Sequence, residues 1–338
     1  GPAVEPARRL LQAALRLARR GWRGIRFAWE WWRLGSYLMR ERPVVVQFAT
    51  IRFGFQALML RRLRRHGLRL AQVCHEFEPR ESRLGPLRRL DLRLAADAYR
   101  TFEVMFFHGA AHRARFEILF DTPARKVEIP HGDESLLARL ADEGGDLRSR
   151  YGIAAGRPVV LFFGGLRPSK GLPDLVEAFA DLRDRHDAAL VIAGNPEGGF
   201  DLGGLHLLIE ARGLTADVTV DAGYVAMKDI GPLIRTATAV VLPYRSGTAS
   251  GVLQAAYAFD RPVVVTDVGS LAEAVEDGAT GFVVPAEDPA ALAVALEKLA
   301  SDPAGAAAMG TAAGRVARER FGWQPIAEAV LEAYRESP

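Results

Sequence analysis

Two glycine-containing turns carry the residues of this sequence that are best suited to chemistry. The first is FFGGLRPSKG (162–171), in which Arg167 and Lys170 are three residues apart, just after Gly164 and Gly165. Glycines let the backbone approach a ligand, and two cations at this spacing can converge on one diphosphate. The alternative interpretation of the same residues is a tight turn with two solvated cations.

The second turn is SGTASG (246–251), which follows the apolar run AVVLP (239–243) and opens a helix near Gly251. The start of a helix presents free N–H groups and the positive end of a dipole to an anion. Thr248 and Ser250 are then either ligands of that anion or N-caps, which is the commonest use of these residue types.

Both turns lie in a region of regular pattern that begins near residue 158. Short apolar runs alternate there with longer segments of helical period, which is typical of a parallel sheet covered on both faces. The runs are VVLFF (159–163), ALVIAG (189–194), VTVDAG (218–223), AVVLP (239–243), PVVVT (262–266) and GFVVP (281–285). Ligands of such Rossmann-like domains bind at the carboxyl ends of the strands, so we expect both turns on one edge of the sheet. Two anion-binding turns on one edge favour a diphosphate site.

The first half of the sequence predicts a second, smaller doubly wound domain. Its predicted strands are RPVVVQF, LRLAQVCHE, YRTFEVMFFHG and KVEIPHG. No strand with a Gly-rich turn precedes the helical residues 7–40, so we expect the first βα unit to be absent from this chain. The polar segment 142–158 predicts the domain boundary. The predicted fold is α/β, with two Rossmann-like domains at 1–145 and 155–318 and a C-terminal helix at 321–337 that packs back on the first domain.

Composition limits the compartment and the partner classes. The chain has 338 residues, a net charge of +3 and one cysteine, Cys74, which excludes an internal disulfide framework. No run approaches ~20 apolar residues and no signal-peptide pattern is present, so we expect a cytoplasmic protein. The basic charge is concentrated in residues 1–42, which hold ten arginines and three glutamates.

An amphipathic helix is predicted over residues 7–40, interrupted or bent near Gly21 and Gly24. Its predicted apolar side comprises Leu11, Ala14, Leu15, Ala18, Trp22, Ile25, Trp29 and Trp32. Its predicted opposite side comprises Arg16, Arg19, Arg20, Arg23, Arg26 and Arg33. The helix either lies on an anionic membrane surface, at the inner face of the membrane, or packs on its own sheet with a solvated arginine face. No nucleic-acid partner is expected.

Several motifs in order give the sequence a resemblance to a known family. Residues 155–300 resemble the donor-binding domain of GT-B glycosyltransferases of the retaining family 4 group. The matching stretches are FFGGLRPSKGLPDLVEAF, VIAGNPEG, AVVLPY with SGTASGVLQAAYAF, and RPVVVTDVGSLAEAVEDGATGFVVPAEDPAALAVAL. HEFEPRE (75–81) and VEIPHGDES (127–135) are similar to the acceptor domain of the same family.

The resemblance implies a nucleotide-sugar donor, a glycan or lipid-linked acceptor, and no cofactor or metal. Arg167 and Lys170 match the cations that neutralise the donor diphosphate, and His75 matches a histidine that faces the donor sugar. His131 also faces the cleft between the domains, or is a backbone-bonded loop residue. The implied donor-binding residues are Gly164, Gly165, Thr248, Ser250 and Gly251 at the diphosphate, with Asn195, Tyr224 and Tyr244 near the nucleoside.

The sequence departs from the family at one motif. Many members carry two glutamates eight residues apart in the stretch that corresponds to 247–255, and this sequence has Gly247 and Ala255 there, or Thr248 and Ala256 if the register shifts by one. Two hypotheses follow: a metal-independent retaining glycosyltransferase, and a non-catalytic subunit that binds a nucleotide-sugar or a diphosphate. A dinucleotide oxidoreductase is disfavoured because no GxGxxG follows a first strand.

Overall fold

The computed structural model describes residues 4–51, 56–75, 77, 88–140 and 145–336, which fall into two compact units. Unit 1 comprises residues 1–106, 116–127 and 333–338, and unit 2 comprises residues 107–115 and 128–332. The domain limits that the sequence suggests, at 145, 155 and 318, stay predictions.

The N-terminal part of the chain builds a four-stranded sheet in the order β1–β2–β3–β4. Strands β1 and β2 pair in parallel, with Val45 opposite Arg69. The elements are α1 (Val4–Glu41), β1 (Val45–Phe48), α2 (Gln56–Arg65), β2 (Arg69–Cys74), α3 (Arg88–Tyr99), β3 (Val104–Phe107), α4 (Ala110–Leu119) and β4 (Arg125–Glu128). The last residues of the chain, from 333 onward, belong to unit 1. There, Arg69 Nη2 donates to the Tyr334 carbonyl at 2.7 Å, and the centroid of the Tyr334 ring lies 5.8 Å from that of Phe106.

Helix α1 differs from the sequence prediction in two ways. It is one continuous helix through Gly21 and Gly24, so the predicted interruption there is wrong. In its described part, the packing face contains Phe27, Trp31 and Leu38, with the Trp31 ring stacked 5.6 Å from Phe48.

The aromatic face that the sequence suggests as the packing face is exposed instead. Trp22, Trp29 and Trp32 are 67%, 52% and 54% exposed, and Ile25 is exposed beside them. The described arginines adjoin this face rather than lying opposite it, and the Arg33 guanidinium lies 4.7 Å from the Trp29 ring centroid. Packing of this face on the sheet, one of the two predicted alternatives, is therefore wrong for these four residues.

Unit 2 contains a six-stranded parallel sheet in the order β10–β9–β8–β5–β6–β7. Its elements are α5 (Ser135–Leu140), β5 (Val159–Phe163), α6 (Leu172–Arg183), β6 (Ala189–Gly194), α7 (Leu202–Ala211), β7 (Val218–Ala222), α8 (Met227–Thr236), β8 (Ala239–Leu242), α9 (Gly251–Ala258), β9 (Val263–Thr266), β10 (Gly281–Val284), α10 (Pro289–Ser301) and α11 (Pro303–Arg320). They are followed by α12 (Trp323–Glu336), whose residues from 333 onward belong to unit 1. Strands β6, β8 and β9 are buried along their whole length, which explains why they read as continuous apolar runs. The predicted fold class is confirmed: two parallel-sheet α/β domains, of which the N-terminal one is the smaller.

Strand β5 is the point at which the strand order reverses. The chain proceeds from β5 to β6 and β7 on one side, and β8, β9 and β10 lie on the other. Crevices for ligands form outside the carboxyl ends of the strands at such a switch point. The loops after β5 and β8, which contain the two glycine-bearing turns, flank this crevice.

Gly171 allows these two loops to meet. It ends the 3-10 turn Pro168–Lys170 with a φ of +63°, and a Cβ at this position would overlap the carbonyl oxygen of Pro243. Only glycine combines this backbone conformation with so close a backbone approach.

We predict that Gly171→Ala destabilises unit 2 more than a matched glycine substitution does. Gly213, at φ +70° with nothing within 4 Å of an added Cβ, is the control. Gly213→Ala should cost about 1–2 kcal/mol for the left-handed conformation alone. Gly171→Ala should cost about 1–3 kcal/mol more because it adds a clash. Urea unfolding followed by circular dichroism measures the free energy of unfolding of each variant. Equal losses in the two variants would show that the two loops can move apart without cost to remove the clash with Pro243.

Candidate functional site

The loop after β5 pairs with the loop after β6. Leu166 and Pro196 form a parallel bridge, and the Leu166 N–H donates to the Asn195 carbonyl at 2.9 Å. This pairing brings Glu197 to Arg167, whose Nε donates to Glu197 Oε2 at 2.8 Å while Nη2 donates to the same oxygen. The Arg167 guanidinium is therefore held by a carboxylate at the edge of the sheet where the crevice opens.

Lys170 is held by the loop after β8. Its Nζ lies 3.3 Å from the ring centroid of Tyr244, a cation–π contact on a ring that is only 3% exposed. Burial raises the pKa of Tyr244 to about 12, so the phenol stays neutral below that pH. The Tyr244 hydroxyl lies 3.1 Å from Ser250 Oγ, at the start of α9. Lys170, Tyr244 and Ser250 therefore form one continuous set of contacts from the loop after β5 to the start of α9.

Arg245 fastens the two loops together. Its N–H donates to the Ser169 carbonyl at 2.9 Å, and its guanidinium makes two hydrogen bonds, of 2.7 and 2.6 Å, to Asp174 in the first turn of α6. This pairing raises the pKa of Arg245. Because its side chain is committed to Asp174, we assign Arg245 to the scaffold of the site.

The first turn of α9 is not capped by the side chain of its N-cap residue. Ser250 has an extended backbone, with φ −140° and ψ 117°, and its hydroxyl bonds to Tyr244 instead of to an α9 N–H group. The prediction that the Ser250 hydroxyl caps a helix N-terminus is therefore wrong. A helix start of this kind keeps backbone donors and a positive dipole end for another acceptor.

A histidine and a carboxylate lie beside the same helix start. The position that a Cβ on Gly251 would take is 3.7 Å from Glu134 Oε1 and 3.9 Å from His131 Nε2. Burial raises the pKa of Glu134, an effect that His131 opposes and Asp133 reinforces. His131 Nδ1 is 3.1 Å from the Gly132 carbonyl, which can only accept, so Nδ1 donates. In the neutral ring this leaves Nε2 as an acceptor.

A cavity of about 220 Å³ opens next to the start of α9 within unit 2. Ser250 lines it on the side of the Tyr244–Lys170 contacts, and His131 and His108 line it from the loops before α5 and α4. The two histidine rings are 5.2 Å apart. His131, predicted as a donor-side residue, thus shares one cavity with Ser250.

The other predicted residues lie further apart. Asn195 is exposed after β6, and Tyr224 is 85% exposed after the edge strand β7, separated from β5 by β6. Thr248 is half-buried, and its carbonyl accepts from the Ser270 N–H at 2.7 Å. His75 follows β2 in unit 1 and is exposed. Of the stretch 75–81, positions 76 and 78–81 lie outside the described residues.

Sequence reasoning missed the carboxylates that the structure brings to the two turns. Glu197 reaches Arg167 through the pairing of two loops, and Glu134 reaches the start of α9 from the loop before α5. Neither residue has a sequence spacing to Arg167 or Gly251 that could have indicated the contact. Among the residues that the structure describes, no three His, Cys, Asp or Glu side chains are grouped so that they could hold a metal ion.

Comparison with known proteins identifies the family. A model for glycosyl transferases group 1 matches residues 145–316, just over half of the chain. The D-inositol 3-phosphate glycosyltransferase of Streptomyces avermitilis is 34% identical over 223 residues, which is 64% of this chain and 48% of that protein. The α-D-kanosaminyltransferase of Streptomyces kanamyceticus is 32% identical over 227 residues, which is 64% of this chain and 58% of that protein. The chain thus spans about half the length of these relatives.

Solved structures share the fold over most of the chain. Sucrose-phosphate synthase from Thermosynechococcus elongatus superposes with a TM-score of 0.75 at 20% identity, covering 89% of this chain and 75% of that one. Anabaena HepE in complex with UDP-glucose gives a TM-score of 0.73 at 20% identity, with 90% and 81% covered. The chain belongs to the glycosyl transferases group 1 family and has the GT-B fold of these structures.

We predict that Glu197→Gln increases the affinity of the site for a diphosphate. The carboxylate competes with an anionic ligand for Arg167, and the neutral amide removes that competition while keeping the side chain's size. Because the Arg167–Glu197 pair is about one-third exposed, we expect a modest gain, roughly three- to tenfold in the dissociation constant of UDP or GDP, measured by calorimetry.

Glu177→Gln is the matched control, since Glu177 pairs with Arg212 at 2.5 Å elsewhere in unit 2. It should leave nucleotide affinity unchanged. Weaker binding in Glu197→Gln would mean that Glu197 holds Arg167 in its binding geometry.

Proposed function

We propose that this protein is a retaining glycosyltransferase that moves a sugar from a nucleotide-sugar donor to a glycan or lipid-linked acceptor. The observation that carries the proposal is the meeting of Lys170, Tyr244 and the start of α9 at the switch point of the unit 2 sheet. A cation and uncapped backbone donors on one crevice suit a diphosphate. The names of the relatives, and the UDP-sugar bound to HepE, support this class of donor.

In this proposal the diphosphate lies between the loop after β5 and the start of α9. Lys170 and Arg167 stabilise the negative charge that develops on the leaving nucleoside diphosphate, a task that a metal performs in other transferases. Gly164 and Gly165 let the backbone approach the phosphates, and Gly251 leaves room at the helix start. We therefore propose that no metal is required.

The reaction that these groups support is substitution with retention. The bond from the anomeric carbon to the donor phosphate breaks, the acceptor oxygen forms its bond on the same face, and a departing phosphate oxygen takes the acceptor proton. Residues 247–255 lack the pair of glutamates that many family members carry. We propose that this divergent donor motif marks a branch of family 4. His75, Asn195 and Tyr224 stay proposals for the sugar and nucleoside contacts.

We further propose that the enzyme works in the cytoplasm against the inner face of an anionic membrane. The exposed face of α1 carries Trp22, Ile25, Trp29 and Trp32 next to Arg19, Arg23, Arg26 and Arg33. Tryptophans at headgroup level and arginines on anionic lipid are the features of an interfacial helix. None of the described helices is both long and apolar enough to cross a bilayer. A surface helix would bring the enzyme to a lipid-linked acceptor.

We predict that replacing Arg167 and Lys170 together with alanine weakens UDP or GDP binding by about 2–4 kcal/mol, because two charge-assisted contacts are lost. Calorimetry gives the affinities. The control is Arg212→Ala with Lys298→Ala, which removes one cation paired with a glutamate and one cation above an aromatic ring, away from the crevice.

The control variant should bind the nucleotide as the wild type does. Unchanged affinity in the Arg167 and Lys170 variant would place the diphosphate elsewhere. Nucleotide binding without transfer or donor hydrolysis, across a panel of UDP- and GDP-sugars, would favour the non-catalytic subunit instead.

We predict that the wild type co-sediments with vesicles that contain anionic phosphatidylserine at low salt and is released at high salt. Replacing Trp22, Trp29 and Trp32 with serine should abolish co-sedimentation. The control replaces Leu207, Val294 and Leu331, three exposed apolar side chains of unit 2, with serine and should bind vesicles normally. Equal recovery of wild type with neutral and anionic vesicles would contradict the membrane proposal.

A further inference from the structure

The cavity beside α9 contains two buried polar atoms whose hydrogen-bonding capacity is unused within the part of the chain that the structure describes. Gln254, on the first turns of α9, is 2% exposed, and Ser270, in the loop after β9, is 7% exposed. Both residues line the cavity, and neither Gln254 Oε1 nor Ser270 Oγ has a hydrogen-bond partner among the described residues. Burial of a polar atom without a partner costs free energy.

Packing alone does not explain a glutamine at this position. The residues next to Gln254 on α9 are Leu253 and Ala255, both buried, and the helix face around it belongs to the hydrophobic core of unit 2. An apolar side chain would fill the same space without leaving an unpaired amide oxygen. An unpaired buried group of this kind calls for an explanation, and a ligand that completes its hydrogen bonds supplies one.

A carboxylate that lines the same cavity is already engaged. Glu273, which also lines the cavity, accepts hydrogen bonds from the backbone N–H groups of Ala110 and Ala111 at 2.9 and 2.8 Å. The polar pair itself is neutral: the amide oxygen accepts, and the serine hydroxyl donates or accepts. A ligand hydroxyl satisfies both atoms, because it donates one hydrogen bond to the amide oxygen and accepts one from the serine hydroxyl.

Size and position restrict the ligand further. At about 220 Å³ the cavity lies below the range of about 300–1,000 Å³ that drug-sized ligands fill. It shares Ser250 with the contacts that run through Tyr244 to Lys170, so it adjoins the crevice assigned to the diphosphate. A single sugar ring attached to, or next to, that diphosphate fits both conditions.

We propose that Gln254 and Ser270 form a subsite that binds a hydroxyl group of one sugar ring through hydrogen bonds. This inference rests on the proposed function, since it places the ring beside the diphosphate. Gln254 Oε1 accepts from the ring hydroxyl, and Ser270 Oγ shares the same or the neighbouring hydroxyl. The ring belongs either to the donor or to the acceptor, and both sources offer the same chemistry.

The test compares wild type with Gln254→Leu and Ser270→Ala. Calorimetry gives the affinity for UDP and GDP and for UDP-glucose, UDP-N-acetylglucosamine, UDP-galactose and GDP-mannose, and free glucose, galactose and mannose are titrated into UDP-saturated protein. If the ring is the donor's, both variants should lose about five- to tenfold in affinity for at least one nucleotide-sugar and keep their affinity for bare UDP and GDP. If the ring is the acceptor's, the loss should appear in the free-sugar titration alone.

Thermal unfolding separates a ligand-binding role from a structural one. Gln254→Leu should unfold at the same temperature as the wild type or higher, because it removes an unpaired buried oxygen. A lower unfolding temperature would mean that Gln254 supports the fold, and would overturn the subsite. So would variants that match the wild type for every nucleotide-sugar and free sugar while UDP still binds. A wild type that binds neither UDP nor GDP overturns the proposed function itself.

Discussion

The contact between the loop after β5 and the loop after β8 is the constraint on which the site depends. These loops leave the sheet of unit 2 on the two sides of its switch point, and they meet backbone to backbone at Gly171 and Pro243. Arg245 then joins them through Ser169 and Asp174. Because both loops are fixed in this way, the Lys170 ammonium lies on the Tyr244 ring, and the Tyr244 hydroxyl contacts Ser250 at the start of α9.

This arrangement places a cation and the backbone donors of a helix start next to each other. The ammonium of Lys170 rests on a buried aromatic face, and the start of α9 adds backbone donors that the Ser250 hydroxyl does not occupy. Glu197 balances Arg167, and Glu134 lies next to the helix start. Two carboxylates from other loops therefore lie beside the two turns, whereas the stretch 247–255 itself contains none.

Much of the fold and part of the site follow from local sequence. Parallel strands that are buried on both faces are apolar along their whole length, so the run ALVIAG locates β6 directly. The helices between the strands are recognised by apolar residues that recur every three or four positions. Gly164, Lys170 and Gly251 follow from turns at strand ends. The predicted interruption of α1 is wrong, because a glycine inside a helix lowers its stability by only about 1 kcal/mol. A helix of 38 residues tolerates that loss.

The rest depends on pairings between distant parts of the chain. The approach of Glu197 to Arg167, of Glu134 to Gly251, and of Gln254 and Ser270 to one cavity leaves no periodic trace in the sequence. A crystal structure with bound UDP would show whether the diphosphate lies between the loop after β5 and the start of α9. We expect diphosphate oxygens about 3 Å from Lys170 Nζ and from the N–H groups of the first turn of α9. A diphosphate bound elsewhere, with the Lys170–Tyr244 and Ser250 contacts unchanged, would contradict this expectation.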